Sequence, residues 1–136
     1  MASRELNDLD YRVKNKMMEL LARASEAGIP LMIINTLRTP EEQAEYVAKG
    51  TSWTNNSRHL PQQPDGKSLA MDVCPYDQFQ LHGPDKLNWN DADPVWKTLG
   101  KIGQGLGLKW GVVDSAGNRK DLGHFEYWAL ADRIKI

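Results

Sequence analysis

"LKWGVVDSAGNRKDLGHFEYW", residues 108–128, sets two runs rich in Val, Trp, Phe and Tyr on either side of Asp-Ser-Ala-Gly-Asn. β-Branched and aromatic residues suit a pleated, half-buried surface, whereas Asp, Gly and Asn suit a tight turn. The spacing predicts a β-hairpin, and with it an antiparallel sheet.

Upstream of the hairpin, Asp93-Pro94 is an N-cap and first-turn signature. It precedes a helix with Val95, Trp96, Leu99, Ile102 and Leu106 facing inward, closed by Gly107. SLAMDVCP (68–75) reads as a short strand, and residues 76–92 as irregular chain. Residues 50–67 are dense in Ser, Thr, Asn, Pro and Gly without periodicity. That predicts a long surface loop, and loops of such length inside a domain are usually functional. Thr39-Pro40-Glu41-Glu42 forms a capping box that opens a helix ending near Gly50, leaving Arg38 at a strand-to-helix junction. Pro30 introduces LMIIN, expected to be a buried strand. From Asp8 to Ala27, Leu9, Val13, Met17, Leu20, Leu21 and Ala24 recur at helical spacing before the stop at Gly28. The class is α+β: one small domain, residues 1–136, with an antiparallel sheet flanked by helices.

Composition narrows the function. The 136 residues carry 17 basic and 18 acidic side chains, a net charge of -1. Such a chain lacks the positive footprint that displaces counterions from phosphates, so no nucleic-acid partner is expected. A single cysteine, Cys74, excludes an internal disulfide framework and suits a reducing cytosol. The N-terminus has no apolar core of a secretory signal, and no segment approaches a membrane span, so membrane insertion is not expected.

Three histidines are present. His82, between Leu81 and Gly83, reads as an exposed loop residue. His59 ends a loop and His124 lies in a strand beside aromatics, so both can face one cleft. A catalytic zinc usually takes three protein ligands from His, Asp, Glu or Cys and keeps one position open. Read singly, His59 and His124 are each more safely taken as satisfied structural histidines.

Taken together, Ser57-x-His59, Ala70-x-Asp72 and Asp121-x-x-His124-Phe125-Glu126 resemble the zinc peptidases of the D-Ala-D-Ala carboxypeptidase and L-alanyl-D-glutamate peptidase family, especially small phage endolysins. The resemblance implies the Hedgehog/DD-peptidase fold, with His59, Asp72 and His124 as ligands of Zn2+ and Asp121 as the catalytic base. It implies that Arg38, followed by Gln43, holds substrate or the developing oxyanion; a surface ion pair is the alternative for Arg38. Glu126 is expected to orient a ligand histidine or to serve as the base instead. Gly123 offers a bulge that would turn Asp121 toward the metal.

The sequence departs from the family pattern Ser-x-His-x-x-Gly-x-Ala-x-Asp at one place. His59 and Asp72 are thirteen residues apart, and Ser68 stands where the glycine belongs. An insertion rich in Pro and Gln explains both, at little cost in loop closure. Asp65 is a rival ligand within Pro-Asp-Gly, and Cys74 would complete a four-ligand structural site if it reached the metal.

The resemblance implies an endolysin: a zinc-dependent endopeptidase that cuts the L-alanyl-D-glutamate bond of peptidoglycan stem peptides. It would act as a monomer without a separate wall-binding domain, waiting in the host cytoplasm until a separate pore releases it to the cell wall. The alternatives are a D,D- or L,D-carboxypeptidase on the same scaffold and a zinc-stabilised binding domain without turnover.

Overall fold

The computed structural model describes residues 3–50, 57–62, 66–76 and 87–127. His82 and Asp65 lie outside the described residues. The first periodic segment forms α1 (Tyr11–Glu26), capped by the buried Asp10, whose side chain accepts from the Arg12 amide. Val13, Met17, Leu20 and Ala24 are its buried face. The helix starts later than Asp8 because Leu6–Asp8 forms a separate 3-10 turn. Leu9 nevertheless enters the core just ahead of it.

Strand β1 (Leu31–Asn35) follows the turn at Gly28, whose φ is +81°. Expected to be buried, β1 is half-buried with Met32 exposed, because it pairs on one side only. Helix α2 (Pro40–Ala48) has the anticipated capping box, with Glu42 N–H donating to Thr39 Oγ1 at 3.1 Å and Thr39 N–H to Glu42 Oε1 at 2.9 Å. Strand β2 (Ala70–Pro75) runs through the middle of the sheet. Helix α3 (Val95–Gly105) starts one residue later than expected, with Pro94 and not Asp93 at the N-cap, although Asp93 Oδ1 still accepts from the Val95 amide. Strands β3 (Lys109–Val113) and β4 (Arg119–Glu126) complete the predicted hairpin.

The four strands form one antiparallel sheet in the order β1-β2-β4-β3. Successive side chains on a strand alternate faces. Phe125 therefore joins the core with Met71, Val73, Leu99 and α1, whereas His124 and Glu126 face the other way. Helix α3 sits close on the core side: a Cβ at Gly103 would fall 2.3 Å from the Phe125 ring. Register places Asp72 directly beside His124, and Ala70 beside Glu126. The sheet thus separates an apolar core from a polar site.

The loop between His59 and Asp72 is tied at its base. Leu69 N–H donates to Arg58 C=O at 3.0 Å, and Gln62 N–H to Lys67 C=O at 2.9 Å. Ser68, fully buried, donates its hydroxyl to Ala70 C=O at 2.7 Å and exchanges backbone bonds with the chain around Asp8 and Asp10. These bonds fix the two ends of the segment between His59 and Asp72.

Candidate metal centre and active-site cleft

His59 is positioned by backbone contacts. Its amide donates to Ser57 Oγ at 3.1 Å, a physical reason for the Ser-x-His pairing, and its carbonyl accepts from Arg38 N–H at 2.8 Å. The ring Nδ1 lies 2.6 Å from Thr36 C=O. A carbonyl only accepts, so Nδ1 carries a proton and Nε2 is the ring nitrogen turned toward the cleft. That Nε2 is buried and has no hydrogen-bond partner among the described residues, although Asp72 Oδ1 is 3.1 Å away.

His124 is fixed from its other nitrogen. Nε2 lies 2.8 Å from Glu126 Oε1, and Nδ1 lies 2.9 Å from Asp72 Oδ1. The Asp72 carboxylate is held from behind by Asn35 Nδ2 at 3.2 Å and Arg38 Nη2 at 3.1 Å, both on Oδ2. Oδ1 is left to face the two imidazoles. Ligand atoms of His59, Asp72 and His124 all lie within 4.8 Å of one another, a spacing that can hold one metal ion. The buried, unpartnered Nε2 of His59 beside a carboxylate fits a cation between them, and each histidine has the outer hydrogen bond that a ligand imidazole usually has.

Electrostatics agree with that reading. Burial opposes the charge on Asp72, but the adjacent His59 and His124 outweigh it and hold the carboxyl well below its usual range. Burial likewise opposes charge on His124, yet Asp72 and Glu126 push its pKa up to about 10. Both shifts favour positive charge beside Asp72, the charge that a bound metal ion would bring.

Asp121 reaches the cleft by a route different from the one expected. Gly123 does not make the turn; its role is close packing, since a Cβ there would fall 2.1 Å from Val73 C=O. The irregularity lies opposite Gly111. Trp110 pairs with Phe125 and Val112 with Lys120, so one residue of β3 faces four of β4, 121 to 124. Gly111 has φ +61°, and Asp121 has φ +56°, a left-handed conformation found at no other non-glycine among the described residues. This bend brings Asp121 Oδ2 to 3.9 Å from His124 Nδ1. The half-exposed carboxyl is raised above its ordinary pKa, first by partial burial and then by repulsion from Asp72.

Arg38 is 9% exposed, with Nη1 on Gln43 Oε1 at 3.0 Å and its guanidinium 4.4 Å from the Tyr46 ring. It lines the cleft, but its nearest role is to brace Asp72; the surface ion pair is excluded by its burial. Cys74 is turned to the Asn88 carbonyl, 3.2 Å from Sγ, and is not among the grouped ligand atoms. Sequence reasoning did not find Asn35 or Thr36. Thr36 acts through its carbonyl, which no side-chain pattern reports.

These groups lie in a cleft of about 1190 Å³. Its walls include Tyr46 and Trp89, with Arg58, Lys109, Arg119 and Lys120 among the cations. Over residues 1–125 the sequence matches the phage L-alanyl-D-glutamate peptidase family. The chain belongs to that family. A search of curated protein sequences found no match. The peptidase fold recurs in the L-Ala D-Glu endopeptidase ChiX of Serratia marcescens, at TM-score 0.64 and 18% identity over 93% of this chain and 87% of that one. It recurs too in the vancomycin-resistance D,D-pentapeptidase VanY, solved with Zn(II), at TM-score 0.50 and 20% identity over 94% and 77% of the two chains. VanYB bound to D-alanine-D-alanine is similar at TM-score 0.50 and 21% identity, covering 94% and 76%. Family membership makes this chain a peptidoglycan-cleaving peptidase.

Proposed function

We propose that this peptidase is a zinc-dependent endopeptidase cutting the L-alanyl-D-glutamate bond of peptidoglycan stem peptides. The observation that carries the reading is the convergence of His59, Asp72 and His124 ligand atoms within 4.8 Å, with the Asp121 carboxylate 3.9 Å from His124. Nitrogen and carboxylate donors of this kind suit zinc, and VanY is solved with that metal. Zinc held by His59 Nε2, Asp72 Oδ1 and His124 Nδ1 would polarise the scissile carbonyl and make water acidic enough to attack at neutral pH.

The protein supplies the rest. Asp121 accepts the proton of the attacking water and delivers it to the leaving amine; its raised pKa moves it toward the range in which such a base works best. Asn35 and Arg38 keep the Asp72 carboxylate aimed into the cleft. Glu126 holds His124 in the tautomer that turns Nδ1 to the metal. Arg38 is thereby a positioning residue for Asp72.

The enzyme acts as a monomer on the cell wall, which it reaches from the host cytoplasm through a separate pore. No helix among the described residues is long and apolar enough to cross a membrane. Incubation with purified peptidoglycan, followed by mass spectrometry of the new termini, tests the reading. New N-terminal D-glutamate and C-terminal L-alanine support it. Release of terminal D-alanine alone would replace it with a carboxypeptidase, and no product in the presence of zinc would leave only a binding domain.

A further inference from the structure

The stem peptide continues past the bond that is cut. A diamino acid follows D-glutamate, and its side-chain amine is an ammonium at neutral pH unless a cross-link has acylated it. At about 1190 Å³ the cleft exceeds the roughly 300–1000 Å³ of a usual small-ligand pocket, which leaves room for residues beyond the scissile amide. A wall that recognises the ammonium needs an aromatic face, or a carboxylate that the metal site does not use.

The segment 87–92, ahead of α3, supplies both. Among the exposed large apolar side chains, Tyr11, Met18, Met32, Trp89 and Val113, only Trp89 lines the cleft among the described residues. An indole that is 53% exposed leaves in water a large apolar surface that a ligand can cover. Its neighbours are pinned. Asn88 N–H donates to Pro75 C=O at 2.9 Å, Asn90 N–H to Asn88 Oδ1 at 3.0 Å, and Trp96 Nε1–H to Asn90 C=O at 2.9 Å. The backbone on either side of Trp89 is thus tied to β2 and α3 while the ring borders the cleft.

Asp91, two residues on, is exposed and borders the same cleft. The other described carboxylates there are already engaged. Asp72 and Asp121 face the histidines, and Glu126 holds His124. Asp93, just beyond, accepts from Asn88 Nδ2 at 2.9 Å and from the Val95 amide at 2.9 Å. The Asp91 side chain has no hydrogen-bond or ion-pair partner among the described residues. The cleft cations named above come from other elements of the chain. An aromatic face and an unpaired carboxylate on one pinned segment together suit an organic cation.

We propose that Trp89 and Asp91 form a subsite for the side-chain ammonium of the diamino acid that follows D-glutamate in the stem peptide. This deepens the endopeptidase reading and rests on it. The subsite makes the enzyme prefer stems whose diamino acid is free over stems in which a cross-link has neutralised it.

The test uses two synthetic pentapeptide stems ending in D-alanine, identical except for lysine or its neutral isostere 6-hydroxynorleucine at the third position, assayed with zinc-loaded enzyme by kcat/KM. The wild type should prefer lysine by about three- to thirtyfold, the discrimination expected of one cation–π contact and one partly exposed ion pair, and the preference should shrink as salt is raised. Asp91→Asn should bring the ratio toward one, Trp89→Leu should lower it, and Asp91→Glu should keep part of it. If Asp91 and Trp89 only supported the fold of their segment, Asp91→Asn and Trp89→Leu would slow both peptides alike and preserve the ratio, which overturns the proposal. Equal cleavage of both peptides by the wild type also overturns it, while leaving the endopeptidase reading intact. If neither peptide is cut between L-alanine and D-glutamate but terminal D-alanine is released, the endopeptidase reading itself fails and the proposal with it.

Discussion

Glu126 Oε1 lies 2.8 Å from His124 Nε2 and thereby decides which nitrogen of that ring faces Asp72 and the cleft. Removing the carboxylate frees the ring to flip or change tautomer. Glu126→Ala is expected to weaken zinc binding by about ten- to a hundredfold, with turnover largely restored once zinc is saturating. Competition with a chelator of known affinity, alongside activity at rising zinc, checks both halves.

The ligands themselves should behave differently. His59→Ala, Asp72→Ala and His124→Ala are each expected to abolish retention of the single zinc per chain, measured by elemental analysis after gel filtration. Cys74→Ser should retain it, because Sγ is directed at Asn88 C=O. Full activity of the wild type in a strong chelator would defeat the whole assignment.

Asp121 calls for a substitution that respects its backbone. With φ at +56°, it occupies a region that Asn tolerates far better than Ala. Asp121→Asn should therefore keep fold and zinc while lowering hydrolysis by about two to four orders of magnitude, the usual contribution of a general base. Near-normal turnover in this variant, with a dead but zinc-replete Glu126→Ala, would exchange the two roles.

Proton linkage predicts opposite trends with and without metal. In the metal-free protein the pKa of His124 is raised to about 10 from the ordinary 6.5. Its stabilising contribution is complete below the unfolded value and is lost as pH rises through the folded one. Chemical denaturation of apoprotein should show stability declining from neutral pH toward pH 10, by at most about 1.4 kcal/mol per pH unit from this group. Zinc must displace the same proton, so its apparent affinity should rise with pH over that window, with proton release detectable by calorimetry in buffers of different ionisation enthalpy.

Gly123 is constrained by space. A methyl group there would meet the Val73 carbonyl, a backbone atom that cannot swing aside. Gly123→Ala should cost about 1–3 kcal/mol of stability, the usual range for overpacking, read from a denaturation midpoint, and should loosen zinc through the Asp72–His124 register.

Local chemistry made much of this structure legible. Helical spacing in α1, the Thr39–Glu42 box and the Asp114–Asn118 turn each depend on residues close in the chain. Other features depend on pairing. The edge position of β1 lowered its burial, and the bend at Asp121 lies opposite Gly111 because of register between β3 and β4, which spacing within β4 alone does not reveal. The motif brought His59, Asp72 and His124 into consideration, yet Asn35 emerges only when β1 is laid beside β2, and Thr36 and the inward commitment of Arg38 only when the chain after β1 is set against His59 and Asp72.

The tied base of the 60–67 loop has an evolutionary and engineering consequence. With Arg58 joined to Leu69 and Gln62 to Lys67, the distance between His59 and Asp72 is set at the neck of the loop. Length there can drift by single residues at a closure cost of a few tenths of a kcal/mol. A foreign peptide grafted between Gln62 and Lys67 should then leave zinc binding and hydrolysis unchanged. The place where this chain departs from its family's pattern is therefore one where a further change in length should cost little.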